Sequence, residues 1–223
     1  MRFASSPELG QIARVVRRGE YLERAVVIPS DEGALEGLFH RGRGKTGLLI
    51  LPPAPDEGGS MEGPIIAELA WALTRAGHPT LRFNYGGVGA SPASDRHRRA
   101  DAELALAHLQ ACAPDADIGL CGVGLGAELA AELGGERACD ALFLIVPRIE
   151  ALPARIEATA CVVVAMPQLV DASWRTEAQA WGEGAARDFR LVSIPRADLG
   201  FRRGLVELGR AAAETFSPPG MIG

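Results

Sequence analysis

Residues 118–134, IGLCGVGLGAELAAELG, change character at their middle. Positions 118–122 form a short apolar run with no polar face, which is how a strand reads when its sheet is covered on both sides. Positions 126–134 are rich in Ala, Leu and Glu, the composition of a helix. Between them the glycines 122, 124 and 126 make a turn, so strand, turn and helix follow one another directly. That unit is half of a βα repeat, and the rest of the chain can be read outward from it.

Upstream, TGLLILP (46–52) is a second strand without a polar face, followed by a helix over 61–77 that Gly77 and Pro79 stop, a strand TLRFNY (80–85) and a helix over 96–112. Downstream come strands over 141–147 and 161–167, a helix over 173–184, a strand over 189–195 and a helix over 201–216. In front of all this, AVVIP (25–29) and ALEGLF (34–39) read as a hairpin around Ser30, Asp31, Glu32 and Gly33. A hairpin followed by repeated βα units predicts an α/β three-layer sandwich on a mostly parallel sheet of about eight strands. It forms one domain over 22–216, with a polar N-terminal arm over 1–21 and a flexible tail over 217–223.

Composition narrows the function classes. A chain of 223 residues with 48% hydrophobic residues suits a single hydrophobic core, and a net charge of −5 argues against a chain-wide grip on nucleic acid. No apolar run approaches the length of a membrane span or a signal peptide, so no membrane insertion is expected. Cys112, Cys121, Cys139 and Cys161 are scattered, with no CxxC pair and no histidine at zinc-ligand spacing, which points to a reducing cytoplasm and to no metal or other cofactor. His78, at a helix end, and His97 and His108, on the helix 96–112, read as solvated or capping residues. The clusters Arg96, Arg98, Arg99 and Arg202, Arg203 read as helix starts on a solvated face.

In parallel sheets sites form at the carboxyl ends of strands, here in the loops after residues 52, 85, 122, 147, 167 and 195. The opening hairpin, the GG and SM of loop 58–61, LRFNYGGVGAS (81–91), CGVGLGAELA (121–130) and IPRADLGF with LVELGRAAAETF (194–216) together resemble the small, lidless bacterial α/β-hydrolases. The resemblance runs from about residue 22 to 216, and 81–91 is its most specific stretch. It implies a three-layer fold without a lid domain. It also implies a serine in a G-x-S-x-G elbow, a downstream acid and a late histidine.

At each of those places this chain carries something else. Gly124 stands at the nucleophile's position, Leu199 at the base's and Gln168 at the acid's, with Asp171 three residues further on as another candidate acid. The early loop is Pro52-Pro53-Ala54-Pro55, without histidine. The Leu125 amide holds the oxyanion position of the resemblance, and Asp56 and Glu57 are expected to crowd it with negative charge. The implied function is that of a catalytically inactive hydrolase-fold protein, a binding or scaffold component with a protein partner. A second reading keeps an esterase-like activity through Cys121, Ser60 or Ser91. A third takes Gly122 to Ala127 as a G-x-G-x-x-A nucleotide turn. Against it, the following strand closes with Pro147 and Arg148, not with an acid, and Asp140 falls before that strand.

Overall fold

A computed structural model describes residues 23–217. The expected arm (1–21) and all but the first residue of the expected tail (217–223) lie outside them.

Alternation of apolar residues decides the edge of the sheet, and unbroken apolar runs decide its centre. β2 (Leu35–His40) alternates buried and half-buried positions and pairs antiparallel with β1 (Arg24–Ile28) in the expected hairpin. β3 (Thr46–Leu51) and β4 (Thr80–Phe83) are buried throughout, as befits strands with helices on both faces. They are joined by β5 (Asp117–Val123), β6 (Cys139–Ile145), β7 (Thr159–Pro167) and β8 (Phe189–Ile194). The eight strands form one sheet in the order β1-β2-β4-β3-β5-β6-β7-β8, with every pair from β4 onward parallel.

Among the described residues, five α-helices cover it. α1 (Pro64–Arg75) and α5 (Leu205–Phe216) lie on one face, where Ile66, Leu69, Leu73, Leu208 and Phe216 pack against Leu48, Ile50, Phe143 and Val163. α2 (Arg98–Cys112), α3 (Leu125–Glu136) and α4 (Ala172–Ala185) lie on the other, where Ala105, Leu109, Ala130, Leu133 and Ala178 meet Leu49, Leu81, Leu142 and Val164. The three-layer sandwich expected from the sequence is therefore the observed one.

Several boundaries move. The last helix begins at Leu205 and not at 201, because Phe201 takes a positive φ of 46° and is buried beneath the turn that precedes it. Arg202 and Arg203 thus lie before the helix. Asp140 lies inside β6, where its carboxylate accepts the Thr46 hydroxyl at 2.8 Å. Arg96 is no solvated cation: its Nε donates to Oδ1 of the fully buried Asp101 at 2.8 Å and its Nη1 to the Ser30 hydroxyl at 2.6 Å, fastening the start of α2 to the β1–β2 turn. His78 is 5% exposed, with Nδ1 3.1 Å from the Thr46 carbonyl, so it is a core residue whose proton affinity burial lowers.

Candidate active site

Gly124 is the hinge between β5 and α3. Its φ of 54° and ψ of −120° are a conformation that L side chains rarely adopt and glycine takes readily. The turn is tight because its neighbours are also glycines: a Cβ on Gly126 would run into the Leu51 carbonyl oxygen, and one on Gly122 into the Gly126 backbone. The G-x-G-x-x-A spacing thus serves the close approach of α3 to the sheet. The Gly124 N–H donates to the Ile145 carbonyl at 2.9 Å, and its own carbonyl accepts from Ala127 at 2.9 Å.

The loop after β3 arches over this turn. Ala54 accepts the amides of Glu57 at 3.0 Å and Gly59 at 2.9 Å, and Gly58 turns the chain at φ 75°. At its far end Met61 is pinned from β4, its N–H donating to Asn84 Oδ1 at 2.8 Å and its carbonyl accepting from Arg82 Nη1 at 2.6 Å. Held this way, the loop places Glu57 Oε2 3.8 Å, and the Pro53 Cβ 3.9 Å, from the point where a Gly124 side chain would begin. Of the two acidic residues singled out in the sequence, Glu57 is the one beside the elbow.

Gln168, which the sequence resemblance aligns with the acid, follows β7 and has a structural task. Its side-chain oxygen accepts the Arg196 N–H at 2.8 Å, and its backbone N–H donates to Ile194 at 3.0 Å, so it ties the ends of β7 and β8 together. Asp171 caps α4, accepting the Ser173 N–H at 2.8 Å, and that bond lowers its pKa. Leu199, which the sequence resemblance aligns with the base, projects into solvent, 55% exposed, at the top of a turn in which Asp198 accepts the amides of Phe201 at 2.9 Å and Arg202 at 3.1 Å.

The three other candidate nucleophiles are occupied or enclosed. Cys121 is completely buried in β5, which drives its thiol pKa far up and keeps it protonated. The Ser91 hydroxyl donates to the Asn84 carbonyl at 2.9 Å and accepts the Glu36 N–H at 2.9 Å, joining β2 to the segment after β4. The Ser60 hydroxyl accepts the Glu62 N–H at 3.0 Å in a tight turn.

One feature of the site has no sequence signal of its own. Arg148, after β6, donates from Nε and Nη2 to the two oxygens of Glu128 on α3, each at 2.7 Å. Glu128 is buried at the start of the elbow helix, whereas Arg148 reaches it from solvent. Val146, two residues earlier, carries a φ of 49°, a strained setting for a β-branched residue. Spacing alone does not pair residues 20 apart on different elements.

This is the architecture of the α/β serine hydrolases that lack a lid. The chain matches no protein-family model and no curated protein. It is similar in structure to an α/β serine hydrolase homologue from Coxiella burnetii, at 22% identity and a TM-score of 0.75 over 87% of this chain and 97% of that one. A lidless α/β serine hydrolase from Xanthomonas campestris gives 22% identity and a TM-score of 0.75 over 86% and 93%. A putative α/β-hydrolase from Agrobacterium tumefaciens gives 23% and 0.71 over 86% and 94%. At these identities the likeness is one of fold. Among the described residues no helix is long and apolar enough to cross a membrane.

Proposed function

We propose that the chain is a catalytically inactive member of this fold that acts in the cytoplasm as a binding or scaffold component for a protein partner. The observation that carries the reading is Gly124: the elbow turns through a positive φ but presents no nucleophile, and the polar side chain nearest to it is the Glu57 carboxylate. Hydrolysis through an acyl-enzyme needs a hydroxyl or thiol, a base beside it and donors for the oxyanion. On this reading the base's position is an exposed leucine, the acid's is a glutamine engaged with backbone, and a carboxylate lies beside the side-chain-less elbow. Each change alone could be compensated, but all three remove the route. Vestigial sites of this kind retain an open rim built from the loops that follow the strands, and that rim is what remains available for binding.

Purified protein is expected to leave a panel of short acyl esters at the buffer rate and to take up no fluorophosphonate label. Labelling that vanishes on changing Ser60, Ser91 or Cys121 to Ala would replace this reading with that of an esterase using an unusual nucleophile.

A further inference from the structure

Along the carboxyl rim of the sheet, charge is sorted by position. The end that follows β3 carries Asp56, Glu57 and Glu62, all exposed and, among the described residues, in no ion pair. The end that follows β8 carries Arg202 and Arg203, both exposed and without a carboxylate partner among the described residues. The acids of that second end are committed locally: Asp171 caps α4, Asp198 accepts the Arg202 N–H, and Glu207 pairs with Arg196 at 3.1 Å. In the middle, Arg148 is ion-paired with Glu128 and feels a weaker attraction from Glu57 and Glu150, neither of which pairs with it directly. Next to the basic end stand exposed apolar side chains, Leu169 at 67% and Leu199 at 55%, which the Leu169 N–H to Ala197 carbonyl bond of 3.0 Å holds on one loop cluster.

β3 and β8 are four strand steps apart in the sheet, which is about 19 Å at the usual strand spacing. A surface with an acidic end and a basic end that far apart is complementary to itself after rotation by half a turn, the requirement of an isologous interface. We infer that the partner of this rim is a second copy of the chain, docked about a two-fold axis near the end of β6, the strand midway between β3 and β8. Asp56 and Glu57 of each copy then face Arg202 and Arg203 of the other, and the exposed leucines are covered between them. This rests on the proposal above in one respect: a rim that admits no substrate is free to be closed. It names the partner that proposal leaves open.

The test is sedimentation, or size exclusion with light scattering, of the full chain over a concentration series. The parent protein is expected to dimerise. Asp56→Arg with Glu57→Arg, and separately Arg202→Glu with Arg203→Glu, should each weaken the dimer by at least about tenfold, since both contacts become like-charged. An equimolar mixture of the two variants should dimerise again, because each acid then meets a base, and so should one chain carrying all four changes. Unchanged melting temperatures exclude misfolding as the cause. A parent that stays monomeric throughout overturns the inference, as does a dimer indifferent to both reversals or a mixture that fails to recover. Those outcomes leave the inactive-site reading standing, whereas ester turnover by the parent would remove that reading and leave the dimer untouched.

Discussion

The Glu57 carboxylate oxygen lies 3.8 Å from the point at which a Gly124 side chain would start, so the turn between β5 and α3 is bordered by an acid of the same chain. A serine hydroxyl built there would find a carboxylate within reach and no imidazole, since none of the four histidines lies in the loop after β8.

Gly124→Ser tests what that neighbourhood can do. At φ 54° any side chain is strained, which costs about 1 to 3 kcal/mol, and Gly124→Ala carries the same penalty. Thermal unfolding should register the loss in both. Neither should hydrolyse esters, because a hydroxyl beside a carboxylate alone is a poor nucleophile near neutral pH. Turnover by the serine variant would mean that some group not recognised here acts as base.

Two glycines separate close approach from conformational freedom. In Gly126→Ala the new methyl meets the Leu51 carbonyl, a backbone atom that cannot turn aside, and a loss of about 3 kcal/mol or more is expected. In Gly184→Ala, on α4, the methyl meets nothing within 4 Å, and the protein should gain up to about 1 kcal/mol from helix propensity. Chemical denaturation of the pair distinguishes them; equal effects would contradict the packing described for the elbow.

The Arg96–Asp101 pair is enclosed on both sides. Arg96→Ala leaves a fully buried carboxylate with the Gly86 N–H as its remaining donor at 2.8 Å, and should destabilise the fold by about 3 to 5 kcal/mol. Arg99→Ala, three residues on, removes partly exposed pairs with Glu103, Glu132 and Glu136 and should cost no more than about 1 kcal/mol. A surface-like response of Arg96→Ala in a urea titration would contradict the burial of the pair.

Glu23 governs the acid limb of stability. Partial burial opposes its charge, but hydrogen bonds and charge from His40 and from Arg82, which donates to both its oxygens at 2.7 and 2.8 Å, bring its pKa from 4.5 down to about 2. A carboxyl with a depressed folded-state pKa stabilises the fold above its unfolded value and loses that contribution as pH falls between the two. Some 2 kcal/mol, after allowing for solvent at this part-exposed site, should therefore disappear between pH 4.5 and 2. In Glu23→Gln that part of the pH dependence of the melting temperature should be absent.

The alternation of apolar runs with Ala- and Leu-rich stretches determined the layers of this protein, because a strand covered on both faces is mostly apolar: β3 is such a run from Gly47 to Leu51, and β4 is buried throughout with its one charge, Arg82, matched by Glu23. The sequence states that residues 124, 168 and 199 are glycine, glutamine and leucine, and so that none of them is a serine, an acid or a histidine. What those residues do was decided in three dimensions. Gln168 became a clamp on the Arg196 amide, Asp171 a helix cap and Ser91 a tie to β2, because hydrogen-bond partners are fixed by where loops converge and not by spacing. The Arg148–Glu128 pair, the burial of Arg96 against Asp101 and the late start of α5 after Phe201 belong to the tertiary structure for the same reason. Each joins elements that the chain order separates, and only the packing of the sheet against its helices brings them within a few ångströms.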